Sequence, residues 1–168
     1  MLAKINNSRV YLIAVLAFII DFISKLVISN LLIENQSIRV INNFFYITYA
    51  KNTGVAFSML EGNVVFIVVM TIIIMFFLIK YINSKKFNVF ESIIYGMIIG
   101  GAVGNLFDRL LHGYVIDFFD FYIFGYDAPI FNIADIFIVV GIGLVLISSF
   151  KEEIGVKNEV SCRKKRKN

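Results

Sequence analysis

The sequence predicts a membrane all-α protein with a small β element. The expected fold is a bundle of four transmembrane helices with an extracytoplasmic β-cap between the first and second helices and both termini cytoplasmic. Three observations predict it. Hydrophobic residues make up 59% of the 168-residue chain and the mean hydropathy is +0.82, whereas soluble domains are nearer ~45–50% apolar. Four apolar stretches are long enough to cross ~30 Å of hydrocarbon. The basic residues, finally, are divided unequally between the segments that join those stretches.

The first span covers residues 10–28. Lys4 and Arg9 before an apolar run resemble the start of a signal peptide, but no small-x-small cleavage site follows Ile20. Asp21 and Lys25 appear instead, and the apolar run resumes, so the segment reads as a retained helix. Four residues apart, Asp21 and Lys25 share a helix face and can pair, either as a snorkelling pair at the helix end or as support for a site at that membrane face.

Residues 29–62 are of different character. Ser37 to Ile41 and Phe44 to Tyr49 are β-branched and aromatic and flank Asn42-Asn43, which reads as strands about a turn. Lys51 to Phe57 reads as a polar turn in which Gly54 gives backbone freedom. The second span covers 64–81, with the hairpin loop following it ending at Asn88. The third covers 89–107, where Gly96, Gly100 and Gly104 recur every four residues and allow close helix approach. The fourth covers 133–150, followed by a basic tail, 151–168, expected to be disordered. With no repeat and no Pro/Gly/Ser linker, the chain reads as one domain.

Lys4, Arg9, Lys80, Lys85, Lys86, Lys151, Lys157, Arg163, Lys164, Lys165, Arg166 and Lys167 are twelve of the sixteen basic residues and fall in the termini and the 80–88 loop. The positive-inside bias therefore places those segments in the cytoplasm. Anionic inner-leaflet lipids give the tail a partner without nucleic acid. The single cysteine, Cys162, excludes a disulfide framework, and the single histidine, His112, argues against a multi-histidine zinc centre.

In this topology Asp21, Lys25, Asn52, Asn105, Arg109, Asp117, Asn132 and Asp135 converge on the outer side. A random scatter of polar residues would divide between the two faces. Residues 100–135 alone hold five of the twelve acidic residues, and ionisable groups at the edge of hydrocarbon are expensive enough to mark function. Asp117 and Asp135 are expected to meet near the outer surface. Two poorly solvated carboxylates tend to share one proton, so one can activate water while the other polarises a carbonyl. Such a pair can hydrolyse a peptide with no metal, cofactor or covalent intermediate, though a metal pair or a proton relay would use the same residue types. Asp135, in the first turn of the fourth helix, is the more readily ionised member. Asn132 reads as either that helix's N-cap or a substrate contact.

Four blocks carry a family resemblance: residues 52–57 (NTGVAF), 100–109 (GGAVGNLFDR), 115–118 (VIDF) and 131–135 (FNIAD). In order, spacing and four-helix layout they resemble the signature blocks of the lipoprotein signal peptidases, the bacterial type II signal peptidases. The resemblance spans nearly the whole chain to about residue 150. It implies an aspartic intramembrane peptidase of the bacterial cytoplasmic membrane, active at its extracytoplasmic face, that cleaves diacylglyceryl-modified prolipoproteins before the lipidated cysteine and is inhibited by globomycin. It implies Asp117 and Asp135 as the catalytic pair. Asn52, Gly54, Asn105, Arg109 and Asn132 would line the pocket, with Asp21, Lys25 and Asp108 in support. Arg109 would either orient substrate carbonyls or steady Asp108. The chain departs from the family at Phe22, usually glutamine, and at Val55, usually alanine. The aromatic run containing Phe118, Phe119, Phe121, Tyr122 and Phe124 would lie along the membrane surface as interfacial anchors. The expected partners are lipid-modified prolipoproteins and membrane lipids, the expected state a monomer. The main alternative is a small proton- or cation-coupled transporter with the aspartates as a relay.

Overall fold

A computed structural model describes residues 7–54, 60–123 and 125–165, with side chains as far as 150. Residues 55–57 of the first motif, Phe124 and the side chain of Cys162 lie outside the described residues. The element order is α1 (Ser8–Leu31), β1 (Ser37–Ile41), β2 (Phe45–Asn52), α2 (Val64–Ser84), α3 (Val89–His112), β3 (Val115–Ile123), β4 (Tyr126–Asp127) and α4 (Ile133–Lys165). Among the described residues, four helices are long and apolar enough to span a membrane.

The helices outrun the expected spans. α3 continues past residue 107 to His112, which places Asp108 and Arg109 on the helix. Gly113 then stops it with a left-handed φ of 77° and an N–H that reaches the Arg109 carbonyl at 3.0 Å. At its start, Asn88 and Glu91 form a capping box, with reciprocal bonds of 2.9 and 2.8 Å. α4 continues to Lys165, so the beginning of the basic tail is helical where disorder was expected.

α3 is the centre of the bundle. A Cβ on Gly100 would meet the Ala14 carbonyl and the Ala17 methyl of α1, and one on Gly101 would meet the Ala134 carbonyl of α4. Without side chains at these points, α1 and α4 approach α3 backbone to backbone, as the four-residue glycine spacing predicts. The second half of α2 joins a core cluster in which Met75, Leu78, Ile79 and Ile82 pack with Val10, Ala14 and Ile99.

The cap is a four-stranded antiparallel sheet in the order β1-β2-β3-β4. Two of its strands come from the α3–α4 connection, whose aromatic run forms part of a sheet and not only an anchor along the membrane surface. β2 also runs through Lys51 and Asn52, residues expected in a turn, because β3 pairs with them at Ile116 and Val115. Alternation along β3 puts Asp117, Phe119 and Phe121 on one face and Asp120 on the other. Phe121 stacks on Phe45 at 4.5 Å and on Phe131 at 5.7 Å, so an aromatic row runs along the strand away from Asp117.

Candidate active site

The start of α4 fixes the first carboxylate. Asn132 is its N-cap: the Asn132 Oδ1 accepts from the Asp135 N–H at 3.0 Å, and Asp135 Oδ2 accepts from the Asn132 N–H at 3.2 Å. This reciprocal pair is a capping box with aspartate in place of the usual glutamate. Between them, the Ala134 N–H donates to Asp21 Oδ1 at 2.8 Å. An α1 carboxylate thus serves a first-turn donor of α4, where the helix dipole also favours negative charge.

β3 supplies the second carboxylate. Asp117 Oδ1 accepts from Asn132 Nδ2 at 2.6 Å, and its Oδ2 accepts from Asn52 Nδ2 at 2.8 Å. One residue, Asn132, therefore touches both aspartates, through its backbone N–H and its side-chain amide. Asn132 is wholly buried and Asp117 is 1% exposed. Burial, and next the negative charge of Asp135, push the Asp117 carboxyl up to about 7, against the pull of the two amides.

The rest of the site hangs from α1 and α3. Lys25 Nζ lies 2.7 Å from Asp21 Oδ2, 3.0 Å from Asp108 Oδ2 and 2.9 Å from Asn105 Oδ1. Asp21 and Lys25 are buried at 0% and 2% exposure, so they are not a snorkelling pair at a helix end. Removing one partner of such a buried pair typically costs ~3–5 kcal/mol. Asp108 Oδ2 also accepts the Ile116 N–H at 3.2 Å, which ties α3 to the residue before Asp117. Asn105 Nδ2 donates to Asp135 Oδ1 at 2.8 Å. Arg109 Nη2 donates to the Gly54 carbonyl at 2.6 Å, and Asn52 Oδ1 accepts from the Gly54 N–H at 2.9 Å. Arg109 therefore holds the chain at Gly54 rather than pairing with Asp108.

All ten singled-out residues belong to one continuous hydrogen-bonded network: Asp117, Asp135, Asn52, Gly54, Asn105, Asp108, Arg109, Asn132, Asp21 and Lys25. His112 is exposed and stacks on Tyr114, outside this network. Thr48 and Asp120 are not among the site residues expected from the sequence, yet they too pair. Thr48 Oγ1 donates to the buried Asp120 Oδ2 at 2.6 Å and lies 2.8 Å from Ser37 Oγ. The signal for this pair was the two-residue alternation of β3, legible once the run is read as a strand.

Comparison with known proteins gives the family and the fold. A family model described as signal peptidase II matches residues 13–151. Lipoprotein signal peptidase of Staphylococcus aureus is 39% identical over 149 residues, covering 88% of this chain and 91% of that protein. That of Staphylococcus haemolyticus is 38% identical over 142 residues, covering 84% and 90%. A solved bacterial membrane enzyme superposes with a TM-score of 0.81 at 37% identity, over 91% of this chain and 94% of that one.

Proposed function

The chain belongs to the signal peptidase II family, and from that premise we propose that it is an aspartic endopeptidase in which Asp117 and Asp135 jointly activate water. Its substrates are diacylglyceryl-modified prolipoproteins, cut before the lipidated cysteine, and the family match lends the transport alternative no support. The observation that carries the dyad is the contact of Asn132 with both carboxylates, at 2.6 Å to Asp117 and 3.2 Å to Asp135.

In the reaction, the Asp135 carboxylate takes a proton from water as the water oxygen attacks the scissile carbonyl carbon. The Asp117 proton passes to the carbonyl oxygen, which leaves a neutral gem-diol. Collapse then moves the proton on Asp135 to the departing amine nitrogen, the C–N bond breaks, and a gem-diol hydroxyl returns its proton to Asp117. A carboxyl raised to about 7 still holds a proton near neutrality and so suits the donor's part.

The basic termini and 80–88 loop support an orientation with both ends cytoplasmic and the sheet outside. The lipid chains hold the substrate in the outer leaflet, so the scissile bond lies at the depth of the dyad. The decisive experiment incubates the purified full chain with a lipidated prolipoprotein and compares it with Asp117→Asn and Asp135→Asn. Each variant is expected to fold and to lose cleavage, because asparagine keeps the size but cannot exchange a proton. Near-normal turnover by either one overturns the assignment.

A further inference from the structure

We infer that Lys25 is a positioning residue: its ammonium locks the Asn105 amide with its oxygen toward α1 and its nitrogen toward Asp135, an inference that rests on Asp117 and Asp135 being the reacting pair. The argument begins with hydrogen-bonding capacity. An ammonium has three donors and no acceptor, and Lys25 Nζ has three acceptors around it: Asp21 Oδ2 at 2.7 Å, Asp108 Oδ2 at 3.0 Å and Asn105 Oδ1 at 2.9 Å. Two carboxylates hold the ammonium in place, and its third donor is directed at the amide.

Asn105 Oδ1 also accepts from Asn132 Nδ2 at 3.1 Å, while Asn105 Nδ2 donates to Asp135 Oδ1 at 2.8 Å. Turning the amide over would set its NH2 against the ammonium and against the Asn132 NH2, and its oxygen against a carboxylate oxygen. Asn105 is only 8% exposed, so water is poorly placed to repair those mismatches. Of the two donors to this oxygen, Lys25 is the one that cannot turn to become an acceptor; Asn132 could do so only by giving up its bonds to Asp117 and the helix cap. Lys25 on α1 therefore acts on the acid of α4 through an amide on α3.

The consequence falls on Asp135. Its Oδ1 receives the Asn105 amide and its Oδ2 the Asn132 N–H at 3.2 Å, so the carboxylate plane is held from both sides. Without Lys25 the Asn105 oxygen keeps only the Asn132 donor, so the amide that faces Asp135 is held less firmly while the helix cap stays intact. The expected effect is on turnover rather than on substrate binding, because Lys25 is buried behind Asn105 at 2% exposure.

The test measures kcat and KM per folded molecule of the purified full chain on a lipidated prolipoprotein. It compares Lys25→Met, Lys25→Arg and Gly100→Ala, the last a packing variant away from the network. Lys25→Met is expected to lower kcat about 100-fold, the scale of a mispositioned catalytic group, with KM changed less than about threefold. Lys25→Arg, which keeps cationic donors, should recover about tenfold of that loss. Gly100→Ala should lose thermal stability while keeping kcat within about fivefold. Should Lys25→Met fail to fold, the double variant Lys25→Met with Asp108→Asn removes one orphaned charge and is held to the same criterion.

The inference is overturned if Lys25→Met keeps kcat within fivefold, if its kcat loss only matches that of Gly100→Ala at equal loss of stability, or if the double variant restores kcat. Asp135→Asn runs alongside. Turnover surviving in Asp135→Asn would remove the dyad itself, whereas its loss together with full activity in Lys25→Met would remove only the positioning role.

Discussion

Asn132 donates its side-chain amide to Asp117 at 2.6 Å while the same residue caps the helix that carries Asp135. One asparagine thus does two separable jobs: its oxygen serves the helix and its nitrogen serves the opposite carboxylate. Serine can do the first but is too short for the second. Asn132→Ser is expected to keep the cap, since serine ranks with asparagine there, and to lower turnover by about 100-fold. Asn132→Ala should lose both, with a further loss of about 1 kcal/mol. Thermal unfolding set beside initial rates separates the two; equal rates for Ser and wild type would refute the second job.

The raised Asp117 carboxyl makes both stability and activity pH-dependent. Its folded value of about 7 lies above the ordinary 3.8, and burial is the first cause. The proton is therefore bound more tightly in the folded state. The contribution is complete below about pH 4 and is lost as pH rises through about 7, on the order of 4 kcal/mol in all. Stability of wild type relative to Asp117→Asn, which has no proton to lose at that position, should fall steadily from pH 4 to pH 7. Turnover should decline above about pH 7 as the donor loses its proton. A flat stability difference across that window would contradict the assignment.

Gly104 sits where α3 crosses the ion cluster. A Cβ there would collide with Asp21 Oδ2, the atom that pairs with Lys25. Gly104→Ala is expected to cost about 3 kcal/mol through displacement of a buried pair and to reduce activity. Gly143, whose Cβ would meet nothing within 4 Å, is the control: Gly143→Ala should be neutral or slightly stabilising in a helix interior. Chemical denaturation of the two variants side by side checks the contrast.

On the far face of the sheet, Asp120 Oδ2 is held by Thr48 at 2.6 Å, while Oδ1 has no hydrogen-bond partner among the described residues. Thr48→Val keeps the shape and removes that donor. It should destabilise the protein by about 1–3 kcal/mol and leave kcat and KM per folded molecule unchanged, because Asp117 points to the opposite face. A selective loss of kcat would show that the two faces of the sheet are coupled.

The sequence by itself determined the four spans, the glycine-lined contact of the third helix and eight of the polar residues of the network, Gly54 and Asp108 being added by the resemblance to the family. It could do so because hydrocarbon length and the cost of buried charge act on local composition, which periodicity and motif spacing report directly. Only the tertiary structure decided that residues 115–123 form a strand, since an aromatic run satisfies a membrane belt and a sheet equally until β2 offers its backbone as partner. Only packing buried Asp21 and Lys25, turned Arg109 to Gly54 rather than to Asp108, and gave Asn132 both carboxylates at once. Those outcomes depend on which donor meets which acceptor across elements up to 113 residues apart, and no local pattern encodes that choice.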